Sequence, residues 1–209
     1  MIPPLLFPGA ADALLFDLGR VVFDVDFNKT LECWAAHAGC RPADLIARFL
    51  RDDAYKHHER GAISDAEFFT SLRSSLRIEL SDVQFLEGWN AIFSGEMPGI
   101  AALLARAAQR VPLYAFSNTN RAHVEHFSVA YAGVLRHFRE IFLSSTIGLR
   151  KPDAAAYDHV VKAIGVPAKR IVFFDDLAEN IEGAQARGLT AVHVTSPDAV
   201  AHALAALGL

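Results

Sequence analysis

Five short apolar runs, each broken off by a polar or glycine-containing loop, constrain this chain more than any other feature. They are Ala13–Phe16, Val111–Phe116, Glu140–Leu143, Arg170–Phe174 and Thr190–Val194. Runs this short and this apolar have the pattern of strands buried on both faces of a parallel sheet. Between them lie stretches with apolar residues at helical spacing: Gly99–Gln109, an imperfect one over Arg121–Phe138, Asp153–Ile164, and Ala178–Arg187 closing at Gly188. The alternation predicts an α/β fold with a doubly wound parallel sheet, its ligands gathered beyond the carboxyl ends of the strands.

From Asp26 to Pro98 that rhythm stops, and the pattern is helical with no convincing strand. Leu31, Trp34, Ala35 and Ala38 recur at helical spacing, as do Leu45, Phe49 and Leu50, then Phe68, Phe69 and Leu72, then Phe85, Trp89 and Phe93. Ser64 before Asp65 and Ser81 before Asp82 are helix starts. The expected organisation is a core of residues 1–25 and 99–209 with an all-helical subdomain, 26–98, packed on it as a lid. A chain of 209 residues, 52% hydrophobic and 21% charged, is long and apolar enough to bury such a core and excludes a disordered polymer.

The formal net charge is only −4, with no dense run of Lys or Arg, so neither nucleic acid nor an anionic membrane surface is an expected partner. A small molecule fits better, and the surface is compatible with a monomer or a homodimer. Cys33 and Cys40 form no CxxC or paired metal spacing and read as ordinary thiols. Met1–Ala11 lacks a signal-peptide pattern, and no run reaches the roughly 18 apolar residues of a membrane span. The expected location is the cytoplasm.

Four loops put reactive side chains directly after or near predicted strands. Asp17 ends the first apolar run, with Gly19 two residues on; a carboxylate there attacks phosphorus if a cation suppresses the repulsion, or merely caps a turn. Ser117-Asn118-Thr119-Asn120 offers a hydroxyl, a side-chain amide and backbone N–H groups to a tetrahedral oxyanion, or is a plain polar turn. Lys151 stands just outside a helix that Pro152 is expected to start, where it supplies a fixed positive charge. Its neighbour Arg150 reads as solvent-facing or ion-paired. Asp175 and Asp176, adjacent at the end of a buried strand, repel each other without a cation, and a hard, oxygen-rich site of this kind favours Mg²⁺.

Taken together, Asp17, Ser117, Lys151 and Asp175-Asp176 resemble the four motifs of the haloacid dehalogenase superfamily across essentially the whole chain, and the helical insert resembles that superfamily's first type of cap. The resemblance implies a Rossmann-like core and a magnesium-dependent phosphomonoester hydrolase working through an aspartyl phosphate. Asp17 would be nucleophile and metal ligand, Asp176 the second ligand with the Gly19 carbonyl, and Asp175 a supporting acid. Ser117 and Asn118 would hold phosphoryl oxygens, and Lys151 would neutralise charge. Asn180 falls where the family often has a further acid.

Phosphatases of the superfamily usually carry a second Asp, as general acid, where this chain has Gly19. His57 or His58 from the insert could supply the proton and bind substrate, the leaving group could need little help, or the protein could be catalytically weak. The segments Phe23–Asn28, His58–Asp65 and Ser117–Arg121 resemble a bacterial subgroup similar to α-D-glucose-1-phosphate phosphatase, which also has glycine here. A small sugar phosphate of that kind would tolerate a weak acid, because an anomeric oxygen leaves easily. Among the remaining candidates, Asp24 and Asp26 read as hinge or cap residues, and His123 and His126 lack a third metal ligand. Two alternatives are a metal-independent 2-haloacid dehalogenase, against which the paired acids argue, and a weakly active binding or regulatory member, against which the intact motif set argues.

Overall fold

A computed structural model of the chain describes residues 6–196 and 198–209. Residues 1–5, part of the Met1–Ala11 segment that lacks a signal-peptide pattern, lie outside them. Strands β1 (Ala13–Phe16), β4 (Leu113–Ser117), β5 (Glu140–Leu143), β6 (Ile171–Asp175) and β7 (Thr190–His193) form a parallel sheet in the order β5-β4-β1-β6-β7. Strand β2 (Phe23–Val25) pairs antiparallel with β3 (Phe93–Glu96) in a separate ribbon.

The three central strands are buried at every position. Even so their side chains alternate between two cores. Leu14 and Phe16 face one core, where Phe16 stacks on Phe174 with centroids 4.5 Å apart, while Ala13 and Leu15 face the other, with Phe173 and Tyr157. The core helices α6 (Ile100–Ala107), α7 (Arg121–Ala130), α8 (Ala132–Leu135), α9 (Ser144–Ile147), α10 (Ala154–Ile164), α11 (Ala178–Ala186) and α12 (Ala199–Ala206) alternate with the strands.

Helices α1 (Phe27–Ala38), α2 (Pro42–Ile46), α3 (Asp53–Glu59), α4 (Asp65–Leu76) and α5 (Asp82–Asn90) fill the stretch between the two ribbon strands. Leu31, Trp34, Phe68, Leu72, Phe85 and Trp89 close a core of their own there. Capping boxes at Ser64 with Glu67 and Ser81 with Gln84 satisfy the first N–H groups of α4 and α5. No helix among the described residues is long and apolar enough to cross a membrane.

Four expectations change. The helix after Lys151 begins at Ala154 with Asp153 in the N-cap position, and Pro152 lies in the turn before it. Phe93 belongs to β3 rather than to a helix, because α5 stops at Asn90 and the chain pairs with β2, a partner remote in sequence. Phe49 and Leu50 lie beyond the short α2, with Phe49 packed on Phe27 at 4.4 Å. The stretch Arg121–Phe138 is broken at Tyr131, whose φ of −120° and ψ of 25° leave the helical range.

Gly88 lies against the indole of Trp34, where an added Cβ would sit 2.2 Å from Cδ1. Gly88→Ala should therefore push Trp34 off its place beside Phe85 and lower stability by about 1–3 kcal/mol, read as a fall in Tm with a changed tryptophan fluorescence spectrum.

Candidate active site

The order of the sheet reverses about β1, so the carboxyl ends of β1, β4 and β6 frame one crevice. Asp17 follows β1, Ser117 ends β4, Asp175 ends β6, and Lys151 enters from the loop between α9 and α10. Lys151 Nζ donates to Asp17 Oδ1 at 2.8 Å and to Asp175 Oδ2 at 2.6 Å, and the residue is 1% exposed. Burial opposes the ammonium, but the negative charges of Asp17 and Asp175 outweigh it and hold the Lys151 pKa above the ordinary lysine value.

The acids outnumber the cation. Burial pushes the Asp17 carboxyl up to about 7; Lys151 pulls against it, while Asp175 and Asp176 add to the rise. Burial, then the charge of Asp175, also raises Asp176, with Arg20 and Lys151 opposing. Arg20, whose φ of 57° is in the left-handed region, brings its Nε to 3.7 Å from Asp176 Oδ2.

Carboxylate oxygens of Asp17, Asp175 and Asp176 lie within 4.8 Å of one another. Three hard oxygens with surplus negative charge fit a divalent cation of the magnesium type. Within the set Asp175 is fully engaged: it accepts from Lys151, from Asn180 Nδ2 at 2.9 and 3.1 Å, and from the Leu177 N–H at 2.9 Å. Asn180 is thus an amide donor that orients Asp175 rather than a further acid. Gly19 lines the same cavity, and its bridge to Phe23 uses the Leu18 carbonyl and the Arg20 N–H, which leaves the Gly19 carbonyl out of the pairing.

Two expectations fail on geometry. The Asn118 side chain, expected to face an oxyanion, forms a reciprocal pair with the Lys151 backbone: the Lys151 N–H donates to Oδ1 and Nδ2 donates to the Lys151 carbonyl, both at 2.9 Å. Its amide fixes the lysine instead. His57 and His58, expected to bind substrate or supply the proton, lie on α3, and neither lines the cavity holding Asp17. His57 points to solvent, whereas His58 is buried against the Phe68 ring at 4.2 Å, 2.7 Å from Asp65. Helical phase is the reason, since it turns Tyr55 and Glu59 inward together.

The cavity, about 370 Å³, is lined from the core by Asp17, Gly19, Ser117, Asn118, Lys151 and Asp176, and from the insert by Arg51, Tyr55, Lys56 and Glu59. Sequence reading missed those four; the four-residue spacing of Tyr55 and Glu59 on α3 was the available signal. His123, also in the wall, stacks on Trp89 at 4.8 Å, and its Nε2 donates to the Trp89 carbonyl at 3.0 Å. Burial lowers its pKa to about 3, so it is a neutral spacer between insert and core. Arg150 is ion-paired, its Nη2 2.8 Å from Glu59 Oε2.

A crevice at the switch point of a parallel sheet, with an aspartate after the first strand, a lysine bridge and an acid pair, defines a hydrolase-type α/β site under a helical insert. The chain matches the haloacid dehalogenase-like hydrolases over residues 11–188 and belongs to that family. It is similar to a phosphatase of Mycobacterium tuberculosis, 29% identical over 214 residues that cover 94% of each chain. A drimenol cyclase of Aspergillus calidoustus is 26% identical over 193 residues, 90% of this chain but 35% of that protein, so this chain spans about a third of that longer relative. Among solved structures, a haloacid dehalogenase family enzyme of Bacteroides thetaiotaomicron in a magnesium complex superposes with a TM-score of 0.78 at 25% identity, over 88% of this chain and 93% of that one.

The raised Asp17 pKa carries a stability consequence. Between the ordinary carboxyl value of 3.8 and about 7 the folded protein binds the extra proton, so stability falls as pH rises through that window. In chelator-treated protein, Asp17→Asn should flatten this slope and raise stability at pH 7.5 by roughly 1–3 kcal/mol, measured as Tm against pH.

Proposed function

We propose that the chain is a magnesium-dependent phosphomonoester hydrolase acting through an aspartyl phosphate on Asp17, with a small phosphorylated metabolite as substrate. The observation that carries the reading is the buried Lys151 ammonium joining Asp17 to Asp175 beside Asp176. A dehalogenase has no use for the surplus acids, which would repel its anionic substrate.

Asp17, Asp176 and the Gly19 carbonyl would hold Mg²⁺, with Asp175 fixing the arrangement. The ion supplies positive charge that lets a carboxylate approach an anionic phosphate. Asp17 attacks phosphorus in line, forming a P–O bond to its carboxylate as the bond to the leaving oxygen breaks. Lys151, together with the ion, would favour the ionised form of the attacking carboxylate and offset charge on the phosphoryl oxygens, and the Ser117 hydroxyl would hold one of those oxygens. Water then attacks phosphorus, and Asp17 leaves as carboxylate. Residues 26–98 act as a lid that excludes solvent from the crevice of the core, 1–25 and 99–209.

Gly19 narrows the substrate. Its φ is outside the left-handed region, and an added Cβ would meet only Val25 Cγ2 at 3.7 Å and Asp17 Oδ2 at 4.0 Å. Neither backbone nor packing demands glycine, so the missing acid is a chemical feature of the site. A leaving group that departs without a donated proton suits it, as the anomeric oxygen of a sugar 1-phosphate such as α-D-glucose 1-phosphate would.

The test is phosphate release from paired sugar phosphates with and without Mg²⁺. Glucose 1-phosphate should be cleaved in strong preference to glucose 6-phosphate, and chelation should abolish both activities. Preference for the 6-phosphate would remove the substrate reading, and no release from any phosphomonoester would remove the phosphatase. Asp17→Asn should eliminate turnover in a folded protein. Gly19→Asp, restoring an acid beside Asp17, should raise turnover of alkyl phosphates by roughly 10²-fold.

A further inference from the structure

Two successive residues at the end of α3 tie the helical insert to the loop that carries Lys151, and a third packs against α9 just before it. Glu59 Oε2 accepts from Arg150 Nε at 2.9 Å and lies 2.8 Å from Arg150 Nη2. Arg60 Nη2 donates to Asp153 Oδ2 at 2.7 Å. Gly61, with a φ of +68°, sits so close to α9 that a Cβ would fall 2.3 Å from the Ser145 carbonyl oxygen. The Ser144 hydroxyl donates to the Glu59 carbonyl at 2.6 Å, which seats the same segment a fourth time.

The charges are crossed. An acid of the insert meets a base of the core, and the next residue, a base, meets an acid. The two core partners, Arg150 and Asp153, bracket Lys151 and Pro152. Glu59 and Arg150 are mostly shielded from water, their side chains 9% and 17% exposed, so their pairing is weakly screened. Asp153 occupies the N-cap position of α10 without capping it, and its carboxylate faces Arg60 instead. On the core side the Lys151 backbone is held by the Asn118 amide. The lysine loop is therefore gripped by the core at Lys151 itself and by the insert at Arg150 and Asp153.

We propose that Glu59 and Arg60 are positioning residues that couple docking of the insert to the placement of the Lys151 ammonium against Asp17. With the insert seated, the loop is fixed from both sides. With it lifted, Arg150 and Asp153 lose their partners, and the loop keeps the Asn118 clamp and the bonds of the Lys151 ammonium to Asp17 and Asp175. Glu59 also lines the cavity, so an occupant there touches the pair that holds the lysine. The kinetic consequence rests on the phosphatase reading; the coupling of insert to Lys151 does not.

The experiment reads the two separately. Amine acylation of the intact protein, followed by mass spectrometry, compares buried Lys151 with exposed Lys169 in wild type, Glu59→Gln and Arg60→Glu, with circular dichroism to confirm folding. Arg60 pairs in a half-exposed position, so its variant should fold even if Glu59→Gln does not. Labelling of Lys151 relative to Lys169 should rise about tenfold in Arg60→Glu, as expected for local opening of a loop released from a neighbour. It should fall back when Asp153→Lys is added and the charges are exchanged. On the best phosphomonoester, kcat should drop in parallel while KM changes less, and the exchanged pair should recover it. Unchanged Lys151 labelling in folded Arg60→Glu, or no recovery in the double variant, would overturn the coupling. If wild type releases no phosphate at all, the phosphatase reading has failed and the labelling alone decides the coupling.

Discussion

One ammonium group inside the sheet edge sets the terms for everything around it. Lys151 Nζ joins the end of β1 to the end of β6 through Asp17 and Asp175, in a position from which water is excluded. Removing the lysine would leave the buried Asp17 and Asp175 without their cation, a defect that costs several kcal/mol. Surrounding groups serve the bridge: Asn180 and the Leu177 N–H fix Asp175, and Asn118 fixes the lysine backbone. The bridge does not neutralise the site, because three acids share one lysine and a distant Arg20. That surplus is costly for folding and useful for holding a divalent cation, which is why stability and the proposed chemistry pull in opposite directions at Asp17.

The architecture makes this arrangement possible. Parallel strands place their carboxyl ends on one edge, and the reversal of strand order about β1 opens the crevice there. Stacked Phe16 and Phe174, next to Asp17 and Asp175 in sequence, lock the register of the two strands whose ends carry the acids. The insert enters and leaves through the β2–β3 ribbon, so its five helices hang from a narrow neck and need separate seats on the core. Trp89 with Asn120, His123 with the Trp89 carbonyl, and Glu59 with Arg150 provide them.

What could be read from sequence follows from which interactions are local. Strands β1, β4 and β6 announce themselves because burial on both faces demands uninterrupted apolar residues, and the helix starts at Ser64 and Ser81 are legible because a capping box lies within four residues. Strand β3 is not, since Phe93–Glu96 carries no alternating pattern and owes its form to a partner about seventy residues away. The reactive set Asp17, Ser117, Lys151, Asp175 and Asp176 was visible as a pattern of loops after strands. The use of the Asn118 amide was not, because its partner lies 33 residues on. The choice of His57 and His58 over Tyr55 and Glu59 erred by one helical phase, which composition cannot fix. Arg20 and Glu59 drew no notice because a lone charged residue in a polar segment looks the same whether it faces water or a cavity.

The proposed mechanism depends first on Asp17 carrying the phosphoryl group. The direct measurement is acid quenching of the magnesium-loaded enzyme during turnover of a small phosphate donor such as acetyl phosphate, with borohydride reduction and peptide mass spectrometry to locate the acyl phosphate. Homoserine should appear at position 17 and nowhere else, and should be absent when Mg²⁺ is withheld. Phosphate release with residue 17 left as unmodified aspartate, or with the label on another side chain, would contradict it.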